Sequence, residues 1–262
     1  MNTDLQFDDE QGRRLDALYR TKDAVERRRI VLDALGLGTG ERVLDIGTGP
    51  GFLAAEMAEC VGPSGQVCGI DLSEPMLEIA RRRCEGKPWV RFGMGDALAL
   101  PVADAGFDVA VSVQVHEYVV DTMKALSEMY RVLRPGGRGA IVSTDWAAIA
   151  WHSSDEARMK RVLDAFSNHC AFIALPRTLA SRLRGTGFVV KAQRVIPQFN
   201  SIYDPDSYSY RLIPIIGSFV SGRFGVTAEE VDEWGKDLQQ MGQQGEYFFS
   251  LNGYLHLAIK PE

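Results

Sequence analysis

The chain has 262 residues, 45% hydrophobic and 24% charged, with a formal net charge of -6. That length suits one large α/β domain with an insertion. The acidic balance argues against a grip on a phosphate backbone, and no apolar run reaches the ~18 to 20 residues of a membrane helix. The opening MNTDLQFDDEQ has neither the basic nor the apolar region of a signal peptide. A small-molecule partner, no nucleic acid, no membrane, a cytoplasmic setting and a monomer or homodimer are therefore expected.

Leu15, Leu18, Val25, Ile30, Leu32 and Leu35 recur at helical spacing before Gly36 and Gly38, which predicts one or two helices over residues 8–36. Strands are predicted at 42–47, 66–71, 90–95, 108–113 and 138–144. Helices are predicted near 50–60, 74–84 and 121–133. This alternation specifies a doubly wound parallel sheet. Further helices are expected at 155–170 and 178–184, and strands at 188–196 and 246–259. Two helical patterns lie between those last strands, the second opened by Thr227 and Glu230 at capping-box spacing. The expected organisation is a helical lid at 1–38, a core at 39–203 and 245–262, and a helical cap inserted at 204–244. The triplets Arg27-Arg28-Arg29 and Arg81-Arg82-Arg83 are expected on solvated helix faces. Cys60, Cys68, Cys84 and Cys170 lack metal-ligand spacing and are expected as reduced, mostly buried thiols.

The first strand runs into Asp45-Ile46-Gly47-Thr48-Gly49-Pro50-Gly51-Phe52. Glycine permits close backbone approach and positive φ, and in an open parallel sheet such a turn sits where ligands bind. A dinucleotide fingerprint would need a third glycine where Phe52 stands. Asp45, at the strand end, suits a ligand bearing an amino group better than a diphosphate. Asp71 closes the second strand at the distance where an acid accepts ribose hydroxyls. Asp96 and Ala97 follow the third strand, where a carboxylate and an amide can read an adenine edge. Any of these acids alone could be a strand-end or capping residue; their order together implies a nucleoside site.

VLDIGTGPG, the acid of GIDLS, GDALALP, FDVAVSVQVHEYV and LRPGGRGAIV resemble the ordered motifs of class I S-adenosylmethionine-dependent methyltransferases, closely over residues 40–145. The resemblance implies a seven-stranded Rossmann-like sheet whose last strand runs antiparallel between its neighbours, and S-adenosyl-L-methionine as cofactor. It implies Asp45 near the methionine amino group, with Gly47, Thr48, Gly49 and Gly51 in the cofactor turn and Asp71 on the ribose. Leu72 and Met76 would flank the adenine, Asp96 and Ala97 would contact its edge, and Gln114 would meet the methionine portion. Tyr19 and Arg20 on the leading helix could close over the cofactor as a lid, the alternative being that they lie on the surface. The whole chain also resembles bacterial proteins labelled arsenite methyltransferase-like or related to ubiquinone and menaquinone methyltransferases. Arsenic chemistry needs converging thiols, and Cys60, Cys68 and Cys84 all fall in the cofactor half.

For the acceptor, His116 follows the fourth strand and is the first candidate base, its ordinary pKa of ~6.5 suiting proton removal; the alternative is a histidine that packs there. His152 is a second catalytic candidate. Trp146 and Trp151 could form an aromatic wall, and Tyr203 and Tyr210 could line an acceptor site, or all four could pack the insertion. No metal is signalled. The expected reaction is methyl transfer to a small aromatic or apolar molecule, within secondary metabolism. A cofactor-binding role such as cyclisation is the alternative.

Overall fold

The computed structural model describes residues 9–262. Helices α1 (Asp9–Tyr19) and α2 (Lys22–Leu35) come first. Thr21 caps α2 through its side chain, and Gly36 ends it in the left-handed conformation. An alternating core follows: β1 (Arg42–Ile46), α3 (Phe52–Val61), β2 (Gln66–Asp71), α4 (Glu74–Arg83), β3 (Val90–Met94), β4 (Phe107–Val113), α5 (Thr122–Val132) and β5 (Leu133–Thr144). The chain continues through β6 (Ala150–Trp151), α6 (Glu156–Phe166), α7 (Pro176–Gly185) and β7 (Val189–Asn200). Helices α8 (Tyr208–Val220) and α9 (Ala228–Gln244) then precede β8 (Phe249–Ile259).

The sheet order is β3-β2-β1-β4-β5-β8-β6, with β7 also paired to β8. β1 to β5 are parallel, and β8 runs antiparallel to β5, β6 and β7. The sheet has eight strands rather than seven. The added β6 is two residues opposite Ser250 and Phe249, too short to show any alternation in sequence. The helix expected over 155–170 stops at Phe166, and a tighter turn of residues 167–169 follows.

Strand alternation explains why both faces are covered. Val43, Val109, Val111, Ala140 and Val142 point to the face covered by α2 and α3. Leu44, Ile46, Ala110 and Ile141 point to the other, under α5 and α7. A third cluster joins Trp146, Trp151 and Phe249 to α6, α8 and α9. This last cluster borders the candidate site.

The arginine triplets depart from expectation. Arg29, Arg81 and Arg82 are exposed, but Arg27 and Arg28 are buried and Arg83 half-buried. Arg28 Nε lies 2.7 Å from Glu56 and its Nη1 donates to the Tyr19 carbonyl at 2.6 Å. Arg83 donates to the Pro50 carbonyl and, at 2.7 Å, to Asp16. Both guanidinium groups stack on Phe52, at 4.9 and 3.4 Å from the ring centre. They clamp the leading helices onto the glycine turn through cation–π contact and hydrogen bonds.

Candidate active site

A cavity of about 480 Å³ opens beyond the carboxyl ends of the parallel strands. One end is formed by Gly47, Gly49, Asp71, Leu72, Met76, Asp96, Ala97 and Gln114, with Tyr19 beside them. These ten expected residues, Trp146 included, are brought together. Gly47 has φ +71°, and a Cβ there would meet Val115 Cγ2 at 2.2 Å; Gly51 has φ +76°, and a Cβ would meet Ala80 at 2.7 Å. Gly47 therefore keeps the turn low against the cavity, whereas Gly51, which does not line it, lets α3 pack on α4.

Asp71 accepts hydrogen bonds from Gly49 N at 2.8 Å through Oδ2 and from Ser73 N at 2.9 Å through Oδ1. Each oxygen retains acceptor capacity, so a vicinal diol can be held from one rigid carboxylate. Burial nevertheless pushes the Asp71 carboxyl above its ordinary range. Asp96 fixes its turn by accepting from Leu98 N at 2.9 Å. Gln114 adopts φ +56°, and its Nε2 donates to Thr144 Oγ1 at 2.9 Å. That non-glycine positive φ places a strained residue at the centre of the cavity.

Asp45 sits beneath the turn rather than in the cavity wall. It is 2% exposed and accepts from Thr48 Oγ1 at 2.7 Å. Burial, with Asp71 nearby, pushes its carboxyl up to about 7. Thr48 is likewise turned inward to hold Asp45.

The other end is formed by Leu15, Leu18, Tyr118, Trp146, Phe166, His169, Leu212, Ile215, Phe219 and Arg223. Several expected residues lie elsewhere. His116 is fully buried behind the wall, its Nδ1 2.9 Å from Ser112 Oγ, and burial pulls its pKa down to about 4. His152 is exposed away from the cavity. Trp151 packs against Trp234 and Phe249, at 5.6 and 4.7 Å between ring centres, and Tyr203 and Tyr210 pack on each other at 4.9 Å. None of these five lines the cavity: His116 is held behind the wall by Ser112, His152 faces outward, and Trp151 and Tyr203 pack in the core shared with the helices of the insertion.

His169 and Phe166 were not expected there. His169 stands in the tight turn after α6, and Nδ1 is 2.7 Å from the Phe166 carbonyl oxygen. Its ring stacks on Phe166 at 4.0 Å and meets Trp146 edge-on at 4.8 Å. Only helical periodicity marks this segment in sequence, and the turn that reorients His169 breaks it. Among the described residues no cluster of His, Cys, Asp and Glu could hold a metal ion. No described helix is long and apolar enough to cross a membrane.

The doubly wound sheet, with acids at successive strand ends around a glycine turn, is the arrangement of class I S-adenosylmethionine-dependent methyltransferase domains. Residues 43–137 match the family described as "Methyltransferase domain", and over part of its length the chain is similar in sequence to demethylmenaquinone methyltransferases. It is 46% identical over 113 residues to a demethylmenaquinone methyltransferase of Thermus thermophilus, covering 43% of this chain and 50% of that protein. The chain spans half or less of the length of the curated relatives it matches. Phosphoethanolamine N-methyltransferase 2 of Haemonchus contortus, in complex with S-adenosyl-L-methionine, shares the fold. Its TM-score is 0.65 at 23% identity, covering 99% of this chain and 59% of that one. The [4+2]-cyclase SpnF does so with a TM-score of 0.59 at 21% identity, covering 91% and 82%.

Proposed function

We propose that this protein transfers a methyl group from S-adenosyl-L-methionine to a small acceptor with a largely apolar or aromatic body. The observation that carries the reading is the continuity of one cavity, from Asp71 and Asp96 past Gln114 to Trp146 and Phe219. Donor and acceptor can thus share an enclosed space, and alignment supplies much of the catalysis of a displacement.

When bound, the cofactor supplies an electrophilic methyl group on a sulfonium. Asp71 holds the ribose hydroxyls, Leu72 and Met76 flank the adenine, and Asp96 with Ala97 reads its edge. Asp45 acts through the shape of the turn, not by contact. The helices at 1–38 serve as a lid, with Tyr19 against the cofactor, and those at 204–244 as a cap that shapes the acceptor end and excludes water. Neither His116 nor His152 is placed to serve as base. We assign the activity to the cytoplasm and to secondary metabolism, acting on a small molecule rather than a nucleic acid, as a monomer or homodimer.

Isothermal titration with S-adenosylmethionine and S-adenosylhomocysteine tests this, with Asp71→Ala as the control. Saturable binding that the variant loses supports the site; a folded wild type that binds neither overturns it. The likeness to SpnF supports a second reading, cyclisation in a cofactor-bound pocket. It predicts binding without formation of S-adenosylhomocysteine under any acceptor.

A further inference from the structure

At the acceptor end, two buried polar atoms have no partner among the described residues: Trp146 Nε1 and His169 Nε2. Both side chains form cavity wall, and their rings meet at 4.8 Å and 87°. The tautomer of His169 follows from its neighbour. The Phe166 carbonyl only accepts, so Nδ1 carries the hydrogen and Nε2 keeps a lone pair. Burial holds this imidazole neutral, its pKa pulled down to about 4. Stacking on Phe166, with Tyr118 at 5.8 Å and Phe219 at 6.3 Å, fixes the ring plane.

One orphan donor and one orphan acceptor on the same wall select the group that satisfies both. A hydroxyl donates to His169 and accepts from Trp146. A carbonyl or an ether oxygen serves Trp146 alone, and an ammonium serves His169 alone. Charge points the same way: among the described residues the acids lining the cavity are Asp71 and Asp96, both at the nucleoside end, while Arg223 lines the acceptor end. Among the described residues a cationic acceptor would meet no counter-charge there.

We infer that the acceptor is a hydroxyl-bearing ring compound whose oxygen is seated between Trp146 Nε1 and His169 Nε2, and that His169 takes the hydroxyl proton. This rests on the methyl-transfer reading. In the step, oxygen bonds to the methyl carbon of the sulfonium donor, the carbon–sulfur bond breaks, and its electron pair stays on sulfur. The hydroxyl proton passes to Nε2. A weakly basic imidazole suffices, because oxygen becomes strongly acidic as it is alkylated.

The test is calorimetric titration, at saturating S-adenosylhomocysteine, of 1-naphthol against 1-methoxynaphthalene, of 4-methylphenol against 4-methylanisole, and of benzylamine as the cation. Each alcohol should bind about tenfold or more tightly than its ether in wild type, a preference falling to within about twofold in His169→Phe and weakened in Trp146→Phe. Nitrogen NMR of the wild type should show His169 with a protonated Nδ1 and a bare Nε2 at pH ~7. Equal binding of alcohol and ether, tighter binding of benzylamine, no binding of either alcohol, or a protonated Nε2 overturns the inference, and the wild-type comparison needs no variant to fold. Affinity for S-adenosylhomocysteine separates the two readings. If it persists while the alcohols fail, only this inference falls; if wild type lacks it, the methyl-transfer reading falls as well.

Discussion

The two ends of the cavity are built differently. At the nucleoside end the polar groups stand on strand termini and are pinned by backbone amides, as Asp71 is by Gly49 and Ser73. At the acceptor end the wall is aromatic and aliphatic, drawn from α1, α8, the turn after β5 and the turn after α6. The first end depends on the sheet, whose register leaves its acids little choice of position. The second depends on how an inserted helix pair packs, so its shape can change without disturbing the first.

Substitutions should separate the two ends. The largest effect is expected from Trp234→Ala, which empties a fully buried site in the cluster behind the acceptor end. Stability should fall by about 3 to 5 kcal/mol, measured by urea unfolding, while the folded fraction still binds S-adenosylhomocysteine. Equal loss of cofactor binding by that folded fraction would show that the ends are coupled. Next comes Asp71→Ala. Losing a charged acceptor for the ribose should weaken cofactor binding by about 2 to 3 kcal/mol, roughly a hundredfold, by calorimetry. Stability should hold, since burial already disfavours that carboxylate. Phe219→Ala, at the acceptor end, should weaken apolar acceptor binding by about 1 to 2 kcal/mol and leave cofactor affinity unchanged in the same titration.

The smallest effect is a pH slope. Asp45 and Glu117, both fully buried, have carboxyls pushed up to about 7 by burial. From about pH 4 to 7 the folded state keeps protons that the unfolded chain has released, so these groups make stability fall as pH rises. His116 and His169 are pulled down to about 4. Between about 4 and 6.5 the unfolded chain binds protons that the folded state refuses, so they make stability rise with pH. The pairs oppose each other over that window. Asp45→Asn should tilt the balance toward the histidines and His169→Phe toward the acids, each changing the slope by on the order of 1 kcal/mol per pH unit. Urea unfolding at pH ~5 and ~6.3 checks the signs; the same tilt from both variants would show that one of the buried groups is ionised differently.

Much of the nucleoside end is legible in the chain itself. Strand–helix alternation, the glycine turn and the acids at 45, 71 and 96 are local patterns, and a parallel sheet turns their order into one edge. Asp45 is the exception. Its position at the strand end is readable, but its inward rotation toward Thr48 depends on the closed turn above it. The arginine triplets misled for a related reason: charge composition says nothing about Phe52, which reaches between the helices and draws Arg28 and Arg83 inward.

By itself the sequence determined the doubly wound sheet, the pair of helices before the last strand and the class of cofactor, because periodicity and glycine spacing are short-range constraints. Tertiary structure alone decided which aromatic residues face the cavity and which fill the core of the insertion. Trp146 and Trp151 are five residues apart and chemically alike, yet one borders the cavity and the other packs on Trp234. Likewise His169, not His116, reaches the wall, because the end of a helix and the turn after it aim that ring, and contacts distant in sequence hold it there.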